Sequence, residues 1–226
     1  MNLLVLGRGK TGSLVAQYAQ ERHHHVRVLG ADENRSAKAL TPEVLHGVDT
    51  VIDFTAPEAV VANIEACLGA RKNMVVGTTG WHGQLVSVRT AVEKAGVGFL
   101  YGANFSIGVN LFFETVRAAA VAAGHGYSGQ IFERHHKQKK DAPSGTALVM
   151  QKIIKETSST ELEITSFREG DVVGLHELIF DSPNDRIYLC HDAKSRRGYA
   201  EGAVLGAEWL SGRKGFFEFK DIWREL

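Results

Sequence analysis

The sequence is poor in cysteine and proline, and it has no excess of either charge. Only 2 cysteines and 4 prolines occur in 226 residues, and 26 acidic residues balance 26 lysines and arginines. Cys67 and Cys190 lie far apart and lack metal-site spacing, so we interpret each as a small buried side chain in an apolar segment. The composition therefore favours a reducing compartment, and the charge balance excludes bulk electrostatic attraction to nucleic acid or a membrane.

The sequence also has few long apolar runs. The N-terminal MNLLVLG passes directly into a glycine turn, so we expect no leader, and we expect no run near the roughly 18 residues of a membrane span. These features predict a cytoplasmic protein. Its hydrophobic content of 44% is ordinary for a chain with a buried core, and its length suits one large or two small domains.

A glycine-rich loop follows the apolar run at residues 2–6 and leads into a helical pattern. An apolar strand, a GxGxxG turn and a helix form the dinucleotide fingerprint, in which glycines let the backbone approach a pyrophosphate at the helix start. A triphosphate-binding loop is excluded because Leu4 stands where that motif needs glycine. The predicted cofactor-binding residues of this loop are Gly7, Arg8, Gly9, Lys10, Thr11 and Gly12.

An acidic residue follows the second predicted strand, residues 26–30. Asp32 lies about twenty residues beyond the last fingerprint glycine, where a carboxylate accepts hydrogen bonds from the adenosine ribose. This position favours NADH over NADPH, since a 2′-phosphate would meet a negative charge. Arg35 is close enough to leave NADPH open.

The rest of the chain divides into two patterns. Strands predicted at 49–55, 73–76 and 98–102 alternate with helices, which indicates a Rossmann-type α/β domain with a doubly wound parallel sheet. After residue 105, strands follow one another with fewer helices between them, which predicts a second α+β domain with an open sheet. We place the dinucleotide-binding domain at 1–105 plus about 199–226, and the second domain at 106–198.

The stretch at residues 133–147, ERHHKQKKDAPSGTA, concentrates reactive side chains in one turn. His135 can exchange a proton near neutral pH, and Lys139 supplies a compact positive charge. Gly145 and Thr146 open a predicted helix, whose N-terminal N–H groups and dipole favour an anion. This inventory suits an acidic small molecule that must be protonated. Nearby lysines should lower the pKa of His135, and a bound dianion should raise it.

The order HHxxKxDAPSGTA closely resembles the signature of the dihydrodipicolinate reductase family, also called 4-hydroxy-tetrahydrodipicolinate reductases. GTTG at 77–80, ANFS at 103–106 and the HxAxSR pattern at 191–196 match the same family. The resemblance implies that NADH or NADPH reduces 4-hydroxy-tetrahydrodipicolinate to tetrahydrodipicolinate in the diaminopimelate route to lysine. It also implies a homotetramer joined through the sheet of the second domain.

The resemblance further implies roles for individual residues. His135 is the expected acid, and Lys139 is the second catalytic residue. The residues expected to bind substrate are His136, Ser144, Gly145 and Thr146, although Ser144 and Asp141 also suit shaping the turn and capping the helix. The further residues expected at the cofactor are Gly77, Thr78, Thr79, Gly102, Ala103, Asn104, Phe105 and Arg196. No metal site is expected, and we interpret the run His23, His24, His25 as a solvated turn.

Two other functions are compatible with parts of the sequence. Another NAD(P)-dependent two-domain dehydrogenase of amino-acid metabolism would share the fold, but an alcohol oxidation has less use for the basic, histidine-rich turn. A nucleotide-sensing binding protein would share the fingerprint. No helix-turn-helix pattern precedes the fingerprint, and the net charge is neutral, so nucleic acid is not an expected partner.

Overall fold

A computed structural model describes all residues, Met1–Leu226, and the chain divides into two compact units. The first unit comprises Met1–Ile107 and Arg196–Leu226. The second unit comprises Gly108–Ser195. Each unit has its own sheet, so the chain leaves the first unit once and returns to it near its C-terminus.

A six-stranded parallel sheet forms the centre of the first unit. Its strands are β1 (Asn2–Leu6), β2 (His25–Leu29), β3 (Thr50–Asp53), β4 (Asn73–Val76), β5 (Gly98–Tyr101) and β10 (Gly215–Glu218). They lie in the order β10-β5-β4-β3-β1-β2, so the order reverses between β1 and β3. This arrangement confirms the predicted doubly wound sheet, whose ligand crevice is expected at the carboxyl ends of β1 and β3.

Helices cover both faces of this sheet, which explains why its strands read as continuous apolar runs. The helices of the first unit are α1 (Lys10–Glu21), α2 (Pro42–Leu45), α3 (Pro57–Gly69), α4 (Leu85–Ala95), α7 (Arg197–Trp209) and α8 (Phe219–Ile222). Residues of α3 and α4 pack with Leu4 and Leu6 on one face. Residues of α1 and α7 pack with Leu3 and Val5 on the other. Alternate residues of β1 therefore belong to separate cores.

The second unit contains a four-stranded mixed sheet and two helices. Its elements are α5 (Ile107–Ala119, whose first residue belongs to the first unit), β6 (Ser128–His135), α6 (Gly145–Ser158), β7 (Ile164–Arg168), β8 (Leu175–Asp181) and β9 (Arg186–Asp192). The strand order is β7-β6-β8-β9, and only β6 and β7, which α6 connects, are parallel. The predicted α+β open sheet is confirmed.

The two faces of the second sheet differ in burial. One face packs Ile131, Leu178 and Phe180 against helix residues such as Phe112 and Met150. The other face carries exposed side chains that include Phe167, Tyr188 and Cys190. The prediction that both cysteines are buried was therefore wrong for Cys190, because alternation along β9 directs it to the open face. Cys67 is fully buried, as predicted.

Two further expectations needed correction. The helical segment Ile107–His125 has 19 residues and a mean hydropathy of 1.2, which satisfies the length and composition of a membrane span, so such a run does exist. Its inner side, at Phe112, Val116 and Ala120, belongs to the core of the second unit.

The histidine run at residues 23–25 is the second correction, since it is not simply a solvated turn. His24 Nε2 lies 2.7 Å from the carboxylate of Glu208, which also pairs with Arg22 at 2.7 Å. The amino group of Met1 lies 3.2 Å from His24 Nδ1. The run therefore joins the end of α1 to α7.

Close packing of α7 predicts which helical glycine is essential. A Cβ atom at Gly202 would lie 1.8 Å from the Phe105 carbonyl oxygen, whereas one at Gly69 in α3 would meet nothing within 4 Å. We expect Gly202→Ala to lower the free energy of unfolding by roughly 1 to 3 kcal/mol. Gly69→Ala should leave it unchanged or raise it by about 0.5 kcal/mol. Urea denaturation of both variants measures this difference, and equal effects would contradict it.

Candidate active site

The fingerprint loop is closely packed at Gly7 and Gly12 and open at Gly9. A Cβ atom at Gly7 would lie 2.2 Å from the Phe54 carbonyl oxygen, and one at Gly12 would lie 2.2 Å from the Gly7 carbonyl oxygen. A Cβ atom at Gly9 would meet nothing within 4 Å, and Gly9 is the N-cap of α1 without a side-chain cap. The N-terminus of this twelve-residue helix therefore has no side-chain cap and borders open space at Gly9, which fits a pyrophosphate.

A cleft of about 300 Å³ adjoins this helix start. Its lining residues come from the fingerprint, the end of β3 and the end of β4: Gly9, Lys10, Thr11, Gly12, Phe54, Thr55, Pro57, Gly77, Thr78 and Thr79. A larger cavity of about 490 Å³ lies at the amino ends of β4 and β5 and contains none of the predicted site residues. Because parallel sheets bind ligands at the carboxyl ends of their strands, the smaller cleft is the one where the predicted cofactor is expected.

Glu33, and not the predicted Asp32, interacts with the fingerprint at the end of β2. Its carboxylate accepts a hydrogen bond from the Gly30 N–H at 2.7 Å and pairs with Arg8 at 2.9 Å. The Gly30 N–H and the Arg8 guanidinium hold the pKa of Glu33 below its ordinary value. Asp32 is exposed in the adjacent turn. The ribose contact of Asp32 stays a prediction.

A buried carboxylate connects two of the loops around the cleft. Asp53, at the end of β3, accepts hydrogen bonds from the hydroxyl groups of Thr78 at 2.6 Å and Thr55 at 2.7 Å, and from the Asn63 amide at 2.8 Å. Burial raises the pKa of Asp53, while these donors oppose the increase. Thr78 therefore uses its hydroxyl to hold the loop after β4 in place. Sequence reasoning did not identify this role of Asp53, and it did not identify Asn63.

The predicted residues after β5 have different environments. Phe105 is buried and its ring packs against Phe219 at 4.6 Å, so it stabilises the core of the first unit. Asn104 accepts a hydrogen bond from the Ser106 N–H at 2.9 Å. Gly102 is buried and Ala103 is exposed. Arg196, half-buried, precedes α7. Their contacts with a cofactor stay predictions.

In the second unit, the strand β6 places Glu133 and His135 on the same inward face, since side chains alternate along a strand. Glu133 is 1% exposed and His135 is 8% exposed. One carboxylate oxygen of Glu133 hydrogen-bonds His135 Nδ1, and the other lies 2.8 Å from Arg168 Nη2. Arg168 is the last residue of β7 and lies opposite His135 in the parallel ladder. The pairing of β6 with β7 therefore assembles this triad.

Burial and three of its four neighbours shift the pKa of His135. Burial lowers its pKa most, and the hydrogen bond and negative charge of Glu133 oppose that change. Lys139 and Arg168 lower the pKa further. The predicted lowering of the pKa by lysine therefore holds for Lys139, but its effect is smaller than that of burial. The effect of Arg168 on the pKa was not predicted from the sequence. The fourth neighbour is His176, whose ring centroid lies 5.1 Å away.

His176 connects His135 to the start of α6. It lies opposite Glu133 in the antiparallel ladder, and its Nε2 is 3.0 Å from Ser144 Oγ. Ser144 Oγ accepts a hydrogen bond from the Ala147 N–H at 3.3 Å and so caps α6. Burial lowers the pKa of His176 to about 3, which keeps the ring neutral. Sequence reasoning missed His176, although the alternation of LHELIFD directs its side chain inward.

The other residues of the turn are more accessible. Lys139 Nζ lies 2.8 Å from the exposed carboxylate of Asp141. Gly145 is exposed at the first position of α6, and a Cβ atom there would meet nothing within 4 Å. Thr146 and His136 are half-buried. The start of α6 is thus open at Gly145, whereas Ser144 is 2% exposed and its hydroxyl is engaged within the protein.

The groups of Glu133, His135 and His176 lie within 4.8 Å of one another, close enough to hold a metal ion. Both oxygens of Glu133, however, already contact His135 and Arg168. A guanidinium next to the carboxylate would repel a metal cation. We therefore interpret Glu133, His135 and Arg168 as a hydrogen-bonded group, against which the ring of His176 packs.

Ser144 offers a test that separates a helix cap from a substrate ligand. Ser144→Ala removes the N-cap of α6 and the partner of His176, so we expect the free energy of unfolding to fall by about 1 to 2 kcal/mol. Thr157→Ala is the control, because the Thr157 hydroxyl makes one hydrogen bond, which it donates to the Ile153 carbonyl within the same helix. Urea denaturation should show a change below about 0.5 kcal/mol for the control. Equal stability of both variants and the unmodified protein would exclude the cap.

Comparisons with known proteins agree with these observations. The family model described as Dihydrodipicolinate reductase, N-terminus, matches residues 1–105, and the one described as Dihydrodipicolinate reductase, C-terminus, matches residues 108–223. A protein named 4-hydroxy-tetrahydrodipicolinate reductase from Christiangramia forsetii is 36% identical over 240 aligned positions, which cover 100% of this chain and 99% of that protein. Its namesake from Chromobacterium violaceum is 38% identical and covers 79% of this chain and 74% of its own length.

Two solved structures share the fold. Dipicolinate-bound dihydrodipicolinate reductase from a Paenisporosarcina species has a TM-score of 0.77 at 23% identity and covers 98% of this chain and 99% of its own. Amine dehydrogenase from Mycobacterium smegmatis has a TM-score of 0.62 at 9% identity and covers 98% of this chain and 95% of its own. These structures support the fold alone, whereas the family models span both units. The chain belongs to the dihydrodipicolinate reductase family.

Proposed function

We propose that the protein reduces 4-hydroxy-tetrahydrodipicolinate to tetrahydrodipicolinate with NADH or NADPH, in the diaminopimelate route to lysine. The observation that carries this proposal is the buried His135, which is linked through His176 and Ser144 to the start of α6. A proton donor therefore lies close to the start of a helix that can bind an anion. This combination is what a dicarboxylate that must be protonated requires. Family membership points to the same reaction.

The first unit binds the dinucleotide in this proposal. The uncapped N-terminus of α1 binds the pyrophosphate. Tight backbone packing at Gly7 and Gly12 fixes the loop in the conformation that lets the pyrophosphate approach the helix start. The loop that Asp53 and Thr78 hold borders the cleft, and the pair of Arg8 and Glu33 lies at the end of β2. When bound, the reduced nicotinamide supplies the hydride.

The second unit binds the dicarboxylate. The uncovered N–H groups at Gly145 and Thr146 and the dipole of the fourteen-residue helix α6 favour a carboxylate. His136 is a further predicted ligand. Lys139 adds positive charge, which stabilises the dianion and any negative charge that develops on its ring. Ser144 supports these contacts from inside, as the cap of α6.

The overall reaction consumes one hydride and one proton and releases the 4-hydroxyl group as water. Elimination of the 4-hydroxyl group with a proton from the adjacent ring carbon releases the water and leaves a C=C bond conjugated with the C=N bond. Hydride adds to the far end of this conjugated system, the displaced electron pair moves toward the ring nitrogen, and the nitrogen, whose C=N bond is later restored by tautomerisation, takes a proton. His135 donates that proton from Nε2, because Nδ1 is bound to Glu133. The imidazole is left neutral and regains a proton from water. Charge on the bound dianion favours the imidazolium and so prepares the donor.

The open face of the second sheet supports the proposed assembly. Phe167 is 41% exposed and Tyr188 is 53% exposed on this face, which the helices of the second unit leave uncovered. We place the contacts of a homotetramer there. A cytoplasmic location accompanies the proposed biosynthetic role.

Replacement of His135 tests its role as the acid. We expect His135→Gln to lower turnover by a factor of about 10² to 10⁴ and to leave substrate binding nearly unchanged, because acid catalysis is lost while the anion-binding helix end remains. The assay couples the preceding synthase to the protein and follows NADH and NADPH absorbance in parallel. His125→Gln, at an exposed histidine of the same unit, is the matched control. Near wild-type turnover of His135→Gln would remove this histidine from the mechanism.

The pH dependence tests whether substrate prepares its own acid. The profile of kcat/KM reports the free enzyme, and that of kcat reports the complex. Because burial lowers the pKa of His135 in the free protein and a bound dianion raises it, activity should decline at higher pH in kcat than in kcat/KM. Both profiles are measured between about pH 5 and pH 9. One identical ionisation in the two profiles would contradict this expectation.

A further inference from the structure

Glu133 is a buried carboxylate that is almost inaccessible to solvent. It is 1% exposed, and its two oxygens contact different groups, His135 Nδ1 and Arg168 Nη2. Burying a carboxylate is costly unless charged partners and hydrogen bonds compensate for lost water. Such a group at the end of β6, directly behind the proposed acid, calls for a functional explanation.

We propose that Glu133 is a positioning residue that determines which nitrogen of His135 faces the substrate and that supports its protonated form. This inference rests on the proposed function, in which His135 is the acid. An ionised carboxylate can only accept hydrogen bonds, so it requires the proton of His135 to stay on Nδ1. The nitrogen that gains and loses a proton is then Nε2.

The surroundings of Nε2 support this assignment. Nε2 has no hydrogen-bond partner within the protein, and a Cβ atom at Gly174 would lie 3.1 Å from it. A glycine thus borders this edge of the ring, and no polar group competes for Nε2. The ring therefore has one edge bound to Glu133 and one edge available for proton transfer.

Arg168 keeps Glu133 in its acceptor form. Burial raises the pKa of Glu133, but the hydrogen bonds from Arg168 and His135 oppose that effect, and the pKa stays below its ordinary value. The charged groups facing His135 come from each neighbouring element: Glu133 from β6, Arg168 from β7 and Lys139 from the turn after β6. Of these, only Glu133 favours the imidazolium. Without it, burial and two cations would act against protonation.

The neighbouring His176 provides an internal comparison. It is also buried, but its Nε2 contacts a serine hydroxyl and not a carboxylate. Burial lowers its pKa to about 3, so it stays neutral wherever the enzyme works. Two adjacent buried histidines therefore differ in the partner they receive, and the one that must carry charge is paired with Glu133.

Glu133→Gln tests the proposal, because it preserves shape while removing the charge. We expect turnover to fall roughly 10- to 100-fold with little change in KM. The pKa of His135 should fall further, so the decline of kcat/KM with rising pH should move to lower pH, and the loss should be larger at pH 8 than at pH 6. Nitrogen-15 NMR of the folded protein should show Nδ1–H of His135 in the unmodified protein and a mixture of tautomers in the variant.

Glu169→Gln is the matched control. Glu169 lies one residue beyond β7 and its exposed carboxylate pairs with Arg134 at 2.8 Å, without contact to the imidazole. This variant should retain the turnover, the pH profile and the NMR pattern of the unmodified protein. If Glu133→Gln does not fold, Glu133→Asp is the second variant, since it retains the charge but moves the carboxylate away from Nδ1. Its turnover should lie between those of the unmodified protein and of His135→Gln.

The outcomes separate the two levels of the proposal. If the unmodified protein reduces the substrate and His135→Gln does not, but Glu133→Gln retains the pH profile and the tautomer of His135, the positioning role is overturned while the proposed function stands. A protein without reductase activity, or an active His135→Gln, would instead overturn the proposed function. An Nε2–H tautomer in the unmodified protein would overturn the positioning role directly.

Discussion

The buried pair of Glu133 and His135 imposes the strongest constraint on the second unit. A carboxylate removed from water must be satisfied on both oxygens, and the fold meets this need with one histidine and one arginine. Arg168 reaches Glu133 because β7 lies parallel to β6, which the connection through α6 makes possible. The same connection carries the reactive turn. The same β6–α6–β7 connection therefore brings Arg168 to Glu133 and carries the reactive turn at residues 133–147.

The first unit solves a related problem with different chemistry. Asp53 is buried at the end of β3, but its hydrogen-bond donors are the neutral hydroxyl and amide groups of Thr55, Thr78 and Asn63. These donors fix the loops that border the cofactor cleft. In each unit a buried carboxylate near a strand end, Asp53 or Glu133, holds neighbouring groups in place by hydrogen bonds. More exposed groups nearby are the ones expected to contact the ligand. Such support from buried partners is what keeps a binding site rigid.

The two helix starts at the sites are also prepared differently. Gly9 precedes α1 without a side-chain cap, which leaves several N–H groups for a large anion such as a pyrophosphate. Ser144 caps α6 and occupies the Ala147 N–H, which leaves the N–H groups near Gly145 for a smaller anion such as a carboxylate. The difference follows from a glycine in one turn and a serine in the other. It matches a dinucleotide in one unit and a dicarboxylate in the other.

The amino-acid sequence by itself determined the alternation of strands and helices, the fingerprint turn and the reactive stretch at residues 133–147, because these depend on local periodicity and on glycine, histidine and lysine at short spacings. It could not show that Arg168 and His176 join His135, since strand pairing brings them together across more than thirty residues. It also could not place Cys190 outside and Ser144 inside. Those outcomes depend on which face of an element is buried, and only tertiary packing decides that.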